Sequence, residues 1–542
     1  MATPVIFNGK TFIEPGAYAA IKSGTTDVIA VASSGNVCLI DTGSGAGWGG
    51  GSGIDGELEH DKKAVYGFTD LGSAQNFIRG GLLWDLIQYL FKPEQNSAGI
   101  PKLYLVRAAT TVCATISYTF TGGGSAGGTF TLKCRNEGVA GNGTSSSSVL
   151  RTGYGALMSA GTAANTFKIT FYEGTYRGTD PDGDSYSGIA LAASPAQIIA
   201  VSPDFTNIST LITWLQTNYN INTRFYCSVG TVTGAGTVNS ADLSANNTLV
   251  LATGGTTSYT SGNVDKVLAA ITELDNTFFL CDKYNANAVG TENTKILAHI
   301  NLDAEFDKFM FVGGGDDDTT FTQANGSILT AQYFDDASVI TVHSGVKVPK
   351  KVGVGLKTLP VIYHTAAALG RIAGIEPQTP GTWKKLVFSN FLHDLKKSER
   401  EVALQAGVLH SRFVAGIGWV MNQAINTLQT NTQLINPDGS SYEISIMRIA
   451  AQLNKELSIN ARQRYVGGNA NTASPAELKA FVEGFLLQRT ATVNQDNLIL
   501  SYKNVTVNLV QDYYDVKYAF VPNGPINKLF FTGFVLDINL TA

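Results

Sequence analysis

Six histidines are the first candidates for chemistry, because a neutral imidazole can ligate a metal or move a proton near neutral pH. They stand at His60, His299, His343, His364, His393 and His410, with no HxH or HxxxH pair among them. A metal site would therefore have to gather its ligands from distant segments. Gly45-x-Gly47-x-x-Gly50 matches a dinucleotide fingerprint, yet no helical pattern opens behind it to meet a pyrophosphate. Gly123 to Gly127 spells GxSxG without the preceding strand and following helix that present a nucleophilic serine. Asp180, Asp182 and Asp184 begin like a calcium loop, but the glycine comes too early, at Gly183, and Leu191 stands where a bidentate glutamate belongs. Asp316, Asp317 and Asp318 follow three glycines and read either as a solvated loop or as a site for a divalent ion. No Walker A sequence occurs. No catalytic residue, metal ligand or cofactor is assigned, and an enzyme is unsupported.

Composition narrows the classes that remain. The chain has 542 residues, 44% of them hydrophobic and only 15% charged, which fits several packed domains and excludes disorder over most of its length. Its 58 glycines come without a G-X-Y period, which favours a loop-rich protein over a collagen. A net charge of −5 offers no basic field for a phosphate backbone, so nucleic acid is not expected as a partner. Low charge density also suits a surface buried against other subunits. Five scattered cysteines, none in a CxxC spacing, read as buried or idle thiols in a reducing compartment. No signal-peptide pattern opens the chain and no run reaches 18 apolar residues, so neither export by that route nor membrane insertion is expected.

The elements follow from periodicity. Residues 1–24 read as an extended arm, with Val5, Phe7 and Phe12 spaced by polar residues. Residues 27–41 read as two short strands. Leu83, Leu86, Ile87, Leu90 and Phe91 predict an amphipathic helix stopped by Pro93, and 101–109 a strand after it. From about 111 to 249 the helical pattern disappears into short Thr/Val/Tyr/Phe runs, an inserted all-β domain. Val264, Val267, Leu268, Ile271 and Leu274 predict a helix and 276–282 the next strand. Alternation over 412–422 favours a strand, with a helix as the other reading, and Gly416 and Gly418 would let a neighbouring backbone approach. Ser474, Pro475 and Glu477 open a capped helix to about Arg489. Three alternating strands follow, carrying Val505, Val507 and Leu509; then Tyr514, Val516, Tyr518 and Phe520; then Phe530, Phe534, Leu536, Ile538 and Leu540.

The predicted fold is mixed α/β and α+β: α/β core domains, an inserted all-β domain, and extended N- and C-terminal strand arms. The expected divisions are an arm at 1–24, a discontinuous middle domain at 25–110 and 250–360, the insertion at 111–249, a C-terminal domain at 361–525 and a strand arm at 526–542. Each arm could add to the sheet edge of a neighbouring subunit or pair within its own chain.

A set of segments in order resembles the tail sheath proteins of contractile bacteriophages and related injection machines. These are FIEPGAYA (12–19) with Gly16 and Tyr18, LIQYLFKPEQNSAGIPKLYLVRAA (86–109) ending at Val106-Arg107, and CRNEGVAGNG (134–143) with Gly141-Asn142. TAAALGRIAGIEPQTPGTWKKL (365–386) and LQAGVLHSRFVAGIGWVMNQAINTL (404–428) are similar to further stretches of that family. Lys347, Lys350 and Lys351 make basic a connection that the family has proline-rich.

The resemblance implies a structural subunit that forms six-membered rings, stacked helically around a tail tube, and contracts to drive the tube through a host envelope. Baseplate and tail terminator proteins are the other implied partners. The implied location is the virion tail sheath, assembled in the host cytoplasm. Val5, Phe7, Phe12, Phe530, Phe534, Leu536 and Ile538 are then the candidate strand-exchange residues. Lys384, Lys385, Lys396, Lys397, Glu399 and Arg400 are candidates for tube or subunit contact, or else a solvated face. A sheath of a phage-derived injection system and a β-rich receptor-binding virion protein are the alternatives.

Overall fold

The computed structural model describes residues 5–7, 10–12, 35–43, 65–78, 81–120, 128–138, 141–146, 149–174, 198–218, 225–232, 249–272, 274, 277–283, 291–302, 308–323, 326–349, 354–429, 443–465, 474–490, 498–510 and 513–523. At the N-terminal end, β1 (Val5–Phe7) and β2 (Lys10–Phe12) pair antiparallel, Val5 opposite Phe12. The segment read as an extended arm thus doubles back on itself over these residues. Next come β3 (Asn36–Asp41), β4 (Tyr66–Phe68), helices α1 (Leu71–Ile78) and α2 (Leu82–Phe91), and β5 (Leu103–Arg107). Helix α2 and strand β5 fall where periodicity predicts them.

The chain then leaves the frame through β6 (Thr110–Phe120), β7 (Gly128–Glu137), β8 (Thr144–Ser146), β9 (Val149–Thr152), β10 (Tyr154–Ala160), β11 (Phe167–Glu173) and β12 (Ile198–Val201). It returns through α3 (Ile208–Thr217), β13 (Phe225–Val232), β14 (Leu249–Leu251) and β15 (Thr256–Ser258). Two four-stranded antiparallel sheets result, in the orders β12-β11-β10-β14 and β13-β7-β6-β15, with β8–β9 as a two-stranded pair beside them in the sequence. Tyr118, Leu132, Met158, Phe167, Ile169 and Phe171 share one core with Ile208, Leu211 and Leu215 of α3. The expectation of an all-β segment over 111–249 is therefore corrected. Asn207 caps a ten-residue helix there by accepting the Thr210 N–H at 3.0 Å. Its apolar residues recur at helical spacing among threonines, a β-branched composition that masks a helix.

The frame resumes with α4 (Gly262–Ala270), β16 (Thr277–Cys281), α5 (Thr291–Leu302), β17 (Phe309–Gly313), α6 (Ser327–Phe334), β18 (Val339–His343), β19 (Val346–Pro349), β20 (Leu356–Leu359) and α7 (Val361–Ala373). Then follow β21 (Asn390–Phe391), α8 (Lys397–Gln405), β22 (Val408–Val414), β23 (Gly418–Met421), α9 (Ile444–Tyr465), α10 (Pro475–Gln488), β24 (Ile499–Val510) and β25 (Tyr513–Pro522). One eight-stranded sheet, ordered β23-β22-β18-β17-β16-β3-β5-β4, collects strands from residues 36 to 421. It is parallel except for β4 and β23 at its two edges.

Side-chain alternation explains how both faces of this sheet are covered. Val37, Leu39, Phe278, Leu280, Phe309 and Phe311 pack toward α1, α2 and α7. Cys38, Ile40, Phe279, Cys281, Met310 and Val312 point the other way, toward α4, α5 and α6. Strands buried on both faces need continuous apolar runs, which is what NVCLID, TFFLC and FMFVG are. Helix α7 lies against α2 so closely that a Cβ on Gly370 would stand 2.5 Å from the Leu90 carbonyl oxygen.

Residues 412–422 are not one strand. β22 turns at Gly416, φ +79°, and Gly418, φ +101°, into β23, with Phe413 opposite Trp419. Nothing lies within 4 Å of a Cβ built on either glycine, so they serve the turn and not a close backbone contact. The C-terminal elements form a separate core in which α9, α10 and the β24–β25 hairpin join through Leu453, Val482, Leu486, Val505, Tyr518 and Phe520. Ser474 and Glu477 cap α10 reciprocally, at 3.2 Å and 2.9 Å, as the sequence predicts. The third C-terminal strand, with Phe530, Phe534, Leu536 and Ile538, lies outside the described residues, as do the first of the two strands expected over 27–41 and the loop after Gly43.

Candidate assembly surfaces

Three two-stranded sheets stand among the described residues, β1–β2, β8–β9 and β24–β25. A sheet edge exposes unpaired N–H and C=O groups and so accepts a further strand. The β24–β25 hairpin is the longest, with strands of 12 and 10 residues. Ile499, Val505, Tyr518 and Phe520 hold it to α9 and α10, and the buried Tyr518 hydroxyl donates to Asn454 Oδ1 at 2.6 Å. Burial raises that phenol's pKa, so it stays a donor. Leu500, Leu509, Val510 and Val521 leave 53%, 49%, 38% and 44% of their surface exposed, an apolar display on a two-stranded hairpin.

Among the strand-exchange candidates, Val5, Phe7 and Phe12 lie on the β1–β2 hairpin. The charged stretch divides in two. Lys385, Lys396 and Lys397 are exposed, whereas Glu399 and Arg400 turn back on their own chain. Glu399 Oε2 accepts the Lys396 N–H at 2.7 Å, capping α8, and Arg400 donates to the Leu395 carbonyl at 2.6 Å. Lys384 is tied through its backbone to Met421 of the edge strand β23, at 2.9 Å.

The motif positions have structural partners. Arg107, at the end of β5, donates to Asp41 at the end of β3 across 2.7 Å, both side chains fully buried. Asn142 makes two 2.8 Å hydrogen bonds with Gly255, one in each direction, pinning the β7–β8 connection to the return strand pair. Gly141 is buried, and a Cβ there would stand 2.8 Å from that of Ala114. Gly16 and Tyr18 lie outside the described residues.

The chemistry considered at the outset finds no constellation. Gly45–Gly50, Gly123–Gly127 and Asp180–Asp184 fall outside the described residues. Among the described residues no group of His, Cys, Asp and Glu is arranged to hold a metal ion. The acidic loop is not simply solvated. Asp316 Oδ1 accepts the Val361 N–H at 2.6 Å at the start of α7, and burial raises its pKa. Asp317 Oδ1 accepts from Thr319 and Thr320 at 2.7 Å and 3.0 Å.

Sequence reading missed two buried polar features. Arg448 of α9 is 1% exposed and donates to the carbonyls of Ile372 and Ile375, at 2.6 Å and 2.8 Å, at the C-terminal end of α7. Burial lowers its pKa to about 10, so the guanidinium remains charged where a helix terminus favours a cation. Four of the six histidines, His343, His364, His393 and His410, also come together from separate segments at one end of the central sheet. Their only trace in the sequence is a histidine near the end of each of two strand patterns, VITVH and VLHSR.

No family model matches the chain. It is 22% identical over 223 residues to the tail sheath protein of Bacillus phage SP01, covering 41% of this chain and 37% of that relative. The match thus spans little more than a third of the curated relative's length. In structure, the chain is similar to the sheath tail protein of Desulfitobacterium hafniense, with a TM-score of 0.58 at 14% identity, over 94% of this chain and 100% of that one. It is likewise similar to a sheath tail protein of Listeria innocua, with a TM-score of 0.54 at 15% identity, over 95% and 96% of the two chains. The resemblance read from ordered sequence segments is thereby shown: this chain has the mixed α/β fold of the sheath tail proteins and shares sequence with a curated tail sheath protein.

Proposed function

We propose that this chain is the structural subunit of a contractile phage tail sheath. The observation that carries the reading is a fold likeness running over nearly the whole of this chain and the whole of a sheath tail protein. In this reading six subunits form a ring, rings stack helically around a tail tube, and baseplate and terminator proteins close the ends. The sheath belongs to the virion and assembles in the host cytoplasm. The β24–β25 hairpin receives strands from neighbouring copies, donated by residues 1–24 and 526–542, with Phe530, Phe534, Leu536 and Ile538 among the donors. Residues 361–525 face the tube and the segment between β6 and β15 decorates the outside. Lys385, Lys396 and Lys397 supply exposed charge for contacts with the tube or a second subunit.

Contraction in this scheme draws on subunit contacts that improve as the lattice shortens. A gain of a few kcal/mol per subunit, about that of two hydrogen-bonded contacts, sums over many copies. Negative-stain microscopy of the purified chain tests the reading: helical tubes are expected, and deletion of residues 1–16 should leave a folded protein that no longer polymerises. A chain that stays monomeric in all conditions, including with its tube partner, overturns it.

A further inference from the structure

The four clustered histidines tie neighbouring elements together, His343 and His393 by a direct hydrogen bond and His364 and His410 through serine, asparagine and backbone partners. Ser327 Oγ, at the start of α6, accepts the Gly315 N–H at 2.7 Å and is hydrogen-bonded to His343 Nδ1, also at 2.7 Å. His343 Nε2 is hydrogen-bonded to His393 Nδ1 at 3.0 Å. His393 Nε2 lies 3.6 Å from Glu399 Oε2, the same oxygen that caps α8. His364 of α7 donates from Nδ1 to the Ser344 carbonyl at 3.1 Å and accepts from Ser411 of β22 at 3.0 Å. His410, the cross-strand neighbour of His343, contacts the Val408 carbonyl through Nδ1 at 3.3 Å and accepts from Asn422 at Nε2, at 3.1 Å.

His343, His364 and His410 are no more than 1% exposed, and both ring nitrogens of each are hydrogen-bonded. The charged groups that act on them are Glu399 and Arg400 from α8 and Arg412 from β22. No carboxylate is hydrogen-bonded to the three buried rings, and Arg400 and Arg412 oppose a charge on His410. A proton added to any of these rings creates a second donor facing a group already engaged.

We propose that this network is an acid-operated latch, which holds α6, β18, α7, β22 and the start of α8 together at neutral pH and releases residues 392–405 when it takes up protons. The proposal does not depend on polymerisation. Burial holds His343 well below the ordinary histidine value, His364 at about 4 and His410 at about 3. A depressed value means that the open form binds more protons than the closed form. The latch is therefore complete above about pH 6.5, the unperturbed histidine value, and weakens as pH falls toward the folded values. Each proton taken up multiplies the opening constant about tenfold per pH unit.

Hydrogen exchange of the full chain between pH 7 and pH 4, corrected for intrinsic rates, reads this directly. Amides of residues 392–405 should lose protection with a slope of at least two protons, about a hundredfold per pH unit, while those of α10 stay protected. His364→Gln keeps a donor and an acceptor but cannot titrate, and should reduce the slope by about tenfold per pH unit; His410→Gln serves the same purpose should the first variant not fold. A wild-type slope below one proton, or loss of protection spread evenly over the chain, overturns the latch whatever the variants do.

Discussion

At the scale of single residues, burial decides what a charged side chain does here. Arg107 and Asp41 have fully buried side chains that meet across 2.7 Å, and Asp41 Oδ1 also accepts the Gly43 N–H at 2.8 Å. Removing one partner takes a charge-assisted hydrogen bond from the other in a medium that solvates charge poorly. Arg107→Leu should therefore cost about 3–5 kcal/mol, while the double variant Asp41→Asn/Arg107→Leu recovers part of that loss because no unpaired charge remains. Urea midpoints at neutral pH measure both, and a single-variant loss below about 1 kcal/mol would remove the pair from the account of stability. The arginine was legible in the sequence as the end of a strand motif, but its purpose was not. Its partner lies 66 residues away on the neighbouring parallel strand, a separation that no local pattern encodes. The histidines repeat the lesson, since their network draws one ring each from β18, α7, β22 and the segment before α8.

At the scale of elements, local pattern succeeded where one face of an element differs from the other. Helix α2 shows its apolar stripe, α10 shows its cap, and the buried strands show continuous apolar runs. It failed where composition and geometry disagree, as in α3, whose threonines suggest a strand, and in β22–β23, where alternation continues through a turn. How closely elements approach was also hidden, although a residue records it. Gly370 has no conformational need for glycine, yet any Cβ there meets the backbone of α2 at Leu90. Gly370→Ala should gain under about 1 kcal/mol in helix propensity and lose about 1–3 kcal/mol in forced separation of α2 and α7. A net fall in the thermal midpoint is expected. A rise would mean that the two helices separate at little cost.

At the scale of the whole molecule, the unusual quantities are the low charge and the apolar display on a two-stranded hairpin. Only 15% of residues are charged, which suits a surface that copies of the chain cover. The β24–β25 hairpin offers a test that separates folding from assembly. Its inner residues belong to the C-terminal core, but Leu500 and Leu509 are about half exposed. Replacing an exposed apolar residue by lysine changes stability by no more than about 0.5 kcal/mol when nothing covers it. The same lysine in a sheet that has received a strand from another copy must be desolvated or must distort the edge. Leu500→Lys with Leu509→Lys should therefore leave the urea midpoint of the monomer nearly unchanged and abolish or sharply slow the growth of helical tubes. Tubes that form at the wild-type rate would show that this hairpin is not the receiving edge, and would move the search to β1–β2.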